Sequence, residues 1–152
     1  IKEKNNKLKL HMVGKLQTNK VKNALKIFEY IHSLDSLKLA EKIAKEQENL
    51  KTKPKLFIQI NIGKEFQKSG IDVEKLSDFY QSCKNMSLEI VGTMCLPPEN
   101  QDSNIFFSKM KKLNQSLNLN ELSMGMSNDY FNAIKYSATY LRIGSSIFGS
   151  RN

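Results

Sequence analysis

Short runs of apolar and β-branched residues alternate along this chain with longer stretches of helical period, and this alternation restricts the fold more than any other feature. The short runs are Leu10–Val13, Tyr30–Leu34, Leu56–Ile62, Leu88–Cys95, Leu122–Met124 and Tyr140–Ile143. Between them, apolar residues recur at the spacing of one helix face. Val21, Leu25 and Phe28 form one such set, Leu39, Ala40, Ile43 and Ala44 a second, and Val73, Leu76, Phe79, Tyr80 and Cys83 a third. Ile105, Phe106, Met110, Leu113 and Leu117 form a fourth, and a shorter helix is expected from Asp129 to Tyr136. Side chains of a strand repeat their facing every second residue and those of a helix every 3.6, so a regular switch between the two periods marks successive βα units. The intervals lie near the ~30 residues that such a unit occupies. Strands joined by helical crossovers pair in parallel with one handedness, which predicts an α/β fold built on six parallel strands.

Thr18, Asp35, Asp72 and Asp129 stand where helix N-caps are expected, and Pro54 and Pro97-Pro98 interrupt connections to or from strands. Gly-x-Gly-x-x-Gly, the dinucleotide-binding turn of an open doubly wound sheet, is absent. A complete (β/α)8 TIM barrel has eight strands and about 250 residues. The 152 residues, opening close to a strand without an initiator Met, are therefore expected to be a single domain, 1–152, forming a partial barrel of six units with the first two missing. Such a barrel leaves an open strand edge, which favours self-association.

Hydrophobic residues make up 39% and charged residues 26% of the chain, enough to bury one core. The formal net charge is +9, yet of 24 basic residues only Arg142 and Arg151 are arginine. Arginine reads bases and phosphates through its planar fork, and no basic stripe interleaved with aromatics is present, so nucleic acid is not the expected partner. The lysines fall mostly on polar helix faces, and recruitment of acidic small molecules is the better use of the charge. Cys83 and Cys95 form neither a CxxC pair nor a cluster with His11 and His32. Neither a zinc site nor a disulfide framework is expected, which fits a reducing cytoplasm. No run approaches the ~18 apolar residues of a membrane span.

The end of the chain carries the most chemistry. Met124-Gly-Met-Ser-Asn-Asp129 follows the fifth run, and Arg142-Ile-Gly-Ser-Ser-Ile-Phe-Gly149 leaves the sixth. In (β/α)8 barrels the loops after the last two strands, with the start of a short extra helix, commonly hold a phosphate. Glycine lets the backbone approach an anion, while N–H groups and serine hydroxyls donate to its oxygens. Ser127, Gly144 and Ser145 offer that chemistry in that order, although each taken singly is also an ordinary turn or cap residue. Arg142 lies inside an apolar strand and must aim its guanidinium at a partner or a polar cavity.

His11-Met-Val-Gly-Lys-Leu-Gln-Thr-Asn-Lys20 closely resembles the signature of the pyridoxal phosphate homeostasis family, whose fold is that of the alanine racemase N-terminal barrel. The resemblance extends through Ile58-Gln-Ile-Asn-Ile62, Lys68-Ser-Gly70, Gly92-Thr-Met94, Gly125-Met-Ser127 with Asp129, Arg142-Ile-Gly144 and Ile147-Phe-Gly149. It implies that Ser127, Gly144 and Ser145 hold the phosphate of pyridoxal 5′-phosphate (PLP) and that Arg142 approaches the pyridine nitrogen. An arginine there keeps that nitrogen unprotonated and weakens the ring as an electron sink, which suits a carrier. The resemblance also places His11 and Met94 near the cofactor at strand ends, where a satisfied core histidine and a packed core methionine are the competing descriptions.

The family's Schiff-base lysine lies on its first strand and a Gly-Glu-Asn motif on its second, both upstream of the matching segments here. Lys68 is the one alternative amine among the motif lysines, and a surface loop lysine is the simpler account of it. The function implied is a cytoplasmic PLP-binding protein that buffers the cofactor or delivers it to apo-enzymes without catalysing a reaction. The rival is a racemase-type enzyme, which would add a C-terminal β domain with a second catalytic base after the barrel. A truncated product without a function of its own is the third reading. No Gly-x-Ser-x-Gly elbow and no Ser/His/Asp arrangement supports hydrolase chemistry.

Overall fold

A computed structural model describes residues 7–65 and 69–149. Six strands run in parallel in one sheet, in the order of the chain, each pair joined by a helix. They are β1 (His11–Met12), β2 (Tyr30–Leu34), β3 (Lys55–Ile60), β4 (Glu89–Cys95), β5 (Glu121–Met126) and β6 (Tyr140–Arg142). The helices are α1 (Val21–Leu25), α2 (Leu37–Leu50), α3 (Leu76–Asn85), α4 (Ser103–Ser116), α5 (Tyr130–Lys135) and, directly after β6, the short α6 (Ser145–Phe148). The partial barrel expected from the repeating units is the architecture found.

The strands divide their side chains between two cores. Ile31, Leu56, Ile58, Ile60, Leu122 and Met124 point outward and pack with helix residues such as Leu39, Ile43, Leu76, Phe79, Phe107 and Met110. Tyr30, Phe57 and Met94 point inward, packed with Tyr140, and His32 and Ser123 share that inner face. Both faces of a parallel sheet in an α/β fold are covered, so the strands read as apolar runs rather than as a clean polar alternation. One polar tie binds a helix to the sheet where both partners are buried: the Thr93 hydroxyl on β4 donates to Asn114 Oδ1 on α4 at 2.9 Å.

Local details differ from the expectations at several points. The expected strand Leu10–Val13 shrinks to His11–Met12, because β1 is an edge strand with β2 as its single neighbour among the described residues. Thr18 opens a 3-10 turn, Thr18–Lys20, ahead of α1, and the N-cap position is Gln17. Ser36, not Asp35, caps α2, its Oγ accepting from the Leu39 N–H at 3.4 Å. Asp72 occupies an N-cap position but forms no side-chain cap bond and pairs with Lys75 at 3.4 Å. On α4 the buried stripe is Phe107, Met110 and Asn114, while Ile105 is 65% exposed. Phe106, Leu113 and Leu117 are partly buried against the same core, so the expected face holds apart from Ile105, and the polar Asn114 adds to it.

Candidate functional site

β5, β6 and the loop after β4 meet at their carboxyl ends around a cleft of about 1060 Å³. Pro97, Met126, Ser127, Asn128, Arg142, Gly144 and Ser145 contribute to its wall. Four of the six residues expected at the site, Ser127, Arg142, Gly144 and Ser145, are therefore brought together.

The loop that carries Ser127 has a local cause. Gly125 adopts φ +92°, and a Cβ there would stand 2.6 Å from the Ala133 Cβ of α5, so the chain turns where a side chain does not fit. The turn is closed twice: the Asp129 N–H donates to the Met126 carbonyl at 3.0 Å, and the Met126 N–H donates to Asp129 Oδ1 at 2.7 Å. Asp129 thus stands at the N-cap position of α5 but spends its carboxylate on the loop. Across the cleft, the N–H groups of Gly144 and Ser146 converge on Ser127 Oγ at 3.3 and 3.2 Å. The hydroxyl still has its own proton to give. A Cβ built on Gly144 would meet nothing within 4 Å, so open space lies beside Gly144 on the cleft wall. Serine hydroxyl and backbone N–H groups around an open cradle suit the oxygens of a phosphate.

Arg142 closes the inner side. Its Nη1 donates to Ser123 Oγ and its Nη2 to the Cys95 carbonyl, both at 2.8 Å. Burial pulls its pKa downward, but a guanidinium starts so high that it stays charged. Two anchors fix the plane of the fork while the side chain still lines the cleft.

Behind Arg142 lie His32 and Ser123, which the sequence did not single out as site residues. His32 is 1% exposed, stacks on Phe57 with ring centroids 4.2 Å apart, and places Nδ1 2.7 Å from Ser123 Oγ. Its Nε2 lies 3.0 Å from His11 Nδ1. Burial, followed by the charges of His11 and Arg142, lowers the His32 pKa to about 3, so the ring is neutral. The signal available in sequence was position: Ser123 stands between the outward-facing Leu122 and Met124 and His32 follows the outward-facing Ile31, but nothing local shows that they meet.

His11 and Met94 do not line the cleft. His11, at the start of β1, stacks on Tyr30 with centroids 4.2 Å apart, and burial lowers its pKa. Met94 is buried with Tyr30 and Phe57. Lys68 lies outside the described residues. Among the described residues no group of three or more His, Cys, Asp or Glu could hold a metal ion.

Residues 2–152 match the family model described as alanine racemase, N-terminal domain. The pyridoxal phosphate homeostasis protein of Aquifex aeolicus is 36% identical over 154 residues, covering 95% of this chain and 68% of that protein. Its namesake from Synechocystis is 39% identical over 151 residues, covering 93% and 69%. PipY of Synechococcus elongatus, solved with PLP bound, superposes with a TM-score of 0.89 at 31% identity, covering 97% of this chain and 74% of that one. Alanine racemase of Clostridium difficile shares the fold at a TM-score of 0.71 and 15% identity, covering 97% and 42%.

Proposed function

This chain belongs to the alanine racemase N-terminal domain family and to the pyridoxal phosphate homeostasis proteins, and from that premise we propose that it binds PLP in the cleft between β5 and β6 and serves PLP homeostasis as a carrier or buffer. The observation that carries the reading is the meeting of Ser127 Oγ with the Gly144 and Ser146 N–H groups at the wall of an open cleft that the anchored Arg142 also lines. Ser127 and the backbone at Gly144 and Ser145 would hold the phosphate, and Arg142 would meet the pyridine nitrogen. When bound, the cofactor supplies an aldehyde and an electron-accepting ring, and a charged arginine at its nitrogen discourages protonation there. Binding without catalysis is supported by the relatives, since those 36 and 39% identical are named for homeostasis while the racemase is a likeness of fold.

His11 and Met94 would act at the periphery, His11 through His32 and Met94 by packing. Buried free thiols at Cys83 and Cys95 support a cytoplasmic setting, and no helix of the described residues is long and apolar enough to cross a membrane. Delivery to apo-enzymes and self-association along the open edge belong to the same proposal. The exposed Phe131, Ile147 and Phe148 on the helices flanking β6 support the second, and light scattering that finds only monomer at all concentrations would remove it.

The central reading is tested by equilibrium dialysis against PLP, with inorganic phosphate as competitor. Saturable binding that phosphate displaces and that Arg142→Ala weakens is expected. Binding indifferent to both would overturn the assignment of the cleft.

A further inference from the structure

The Ser123 hydroxyl is fully buried on β5 and touches two polar groups from different strands, Arg142 Nη1 at 2.8 Å and His32 Nδ1 at 2.7 Å. A guanidinium has only donors, so the first contact runs from arginine to serine. The serine proton then has one acceptor among these partners, His32 Nδ1. Leaving a buried donor unpaired costs more than a hydrogen bond is worth, so that bond runs from serine to histidine. His32 must then carry its proton on Nε2, which lies 3.0 Å from His11 Nδ1, and His11 must accept in turn.

We propose that Ser123 and His32 are positioning residues for Arg142, forming a one-way hydrogen-bond relay from Arg142 through Ser123 and His32 to His11 that locks the guanidinium at the inner wall of the cleft. The opposite order would place two N–H donors on the serine oxygen and leave its proton without a partner. It would also turn the positive end of the His32 dipole toward a positive charge. In the order proposed, each dipole presents its negative end to the guanidinium, so the charge and the relay stabilise one another.

Packing holds each step. His32 is pressed against Phe57 on β3, with Tyr140 of β6 edge-on at 5.7 Å, and His11 is stacked on Tyr30 of β2 with Tyr140 at 5.6 Å. The rings cannot flip without disturbing this cluster, which keeps the nitrogen order and the fork of Arg142 in register. The neutral state of His32 agrees with its lowered pKa. The second anchor, Nη2 on the Cys95 carbonyl, then decides the plane in which the remaining N–H groups face the cleft.

The direction of the relay stands without any ligand, whereas its effect on a pyridine ring rests on the cofactor reading above. The experiment therefore has two arms. Long-range nitrogen–proton correlation spectra of histidine-labelled protein at neutral pH should show His32 and His11 neutral with the proton on Nε2. A proton on Nδ1 of His32, or an imidazolium there, would overturn the relay. In the second arm, Ser123→Ala should weaken PLP roughly tenfold while changing inorganic phosphate affinity by less than about twofold, because the phosphate donors are on other loops. Ser123→Thr, which keeps the hydroxyl, should restore PLP affinity. Equal loss of both ligands, or no loss of either, would overturn a positioning role. Should the unsubstituted protein bind phosphate but not PLP, the cofactor reading falls and the tautomers alone decide the relay.

Discussion

The rings of His11 on the first strand and Tyr140 on the last approach to 5.6 Å between centroids, although the two strands are not paired among the described residues. The sheet therefore curls far enough for its two edges to share side-chain contacts inside. This curl makes the inner face a packed cluster of Tyr30, Phe57, Met94 and Tyr140, against which His32 is held dry. It also lets Ser123 reach both His32 and Arg142.

Acid should destabilise the protein through His32. The folded ring holds a proton only near pH 3, whereas an unfolded histidine titrates near 6.5. Below about pH 6.5 the unfolded chain gains a proton that the folded one refuses, so the contribution is complete above that pH and is lost as pH falls toward 3. The slope for one such group is about 1.4 kcal/mol per pH unit. Urea unfolding at pH 7, 6 and 5 should show the fall, and His32→Asn should flatten it. Equal slopes in the two proteins would contradict the burial of a neutral His32.

The phosphate cradle can be challenged from two sides. Ser127→Ala is expected to weaken PLP by about 1 kcal/mol or more, the scale for a hydrogen bond to a charged group. Gly144→Leu should leave thermal stability nearly unchanged, since a Cβ there meets nothing within 4 Å, yet reduce binding by filling the cradle. Unchanged affinity in both variants, measured by dialysis, would remove the assignment.

The two aromatic and aliphatic neighbours on α4 should behave oppositely. Phe107 is fully buried, so Phe107→Ala should cost about 3–5 kcal/mol. Ile105 is 65% exposed, and Ile105→Ala should stay within about 0.5 kcal/mol of the parent. Chemical denaturation of the two variants side by side checks the helix face, and a larger loss at Ile105 would reverse it.

Both thiols should be inert in the native state. Burial pushes Cys83 and Cys95 up to about 12, which leaves a thiolate fraction on the order of 10⁻⁴ or below near pH 7.5. Iodoacetamide followed by mass spectrometry should find no native modification within an hour and two modifications after denaturation. Rapid labelling of Cys95 in the folded protein would show that the floor beneath Arg142 opens.

Much of the architecture was legible because its causes are local. Tyr30–Leu34 is β2 residue for residue, since a short run with apolar Tyr30, Ile31 and Leu34 between two helix-period stretches leaves the backbone little choice. The cleft donors were legible for a related reason: Ser127, Gly144 and Ser145 sit within a few residues of the ends of their own strands, so strand positions alone bring them to one rim. Helix caps were less legible. Asp35 and Ser36 are equally good capping residues, and the choice of Ser36 depends on where α2 docks.

What the sequence determined by itself was the order and type of the elements and the loops that end them, because strand and helix periods and turn residues act over a few neighbours. The tertiary structure alone decided which polar side chains meet inside. His32 and Ser123 are 91 residues apart, and Ser123 is 19 from Arg142, so their contact exists only once five strands have aligned and curled. Parallel strands covered on both faces conceal in their sequence which side faces the interior. The curl chose that side, and with it the floor on which Arg142 rests.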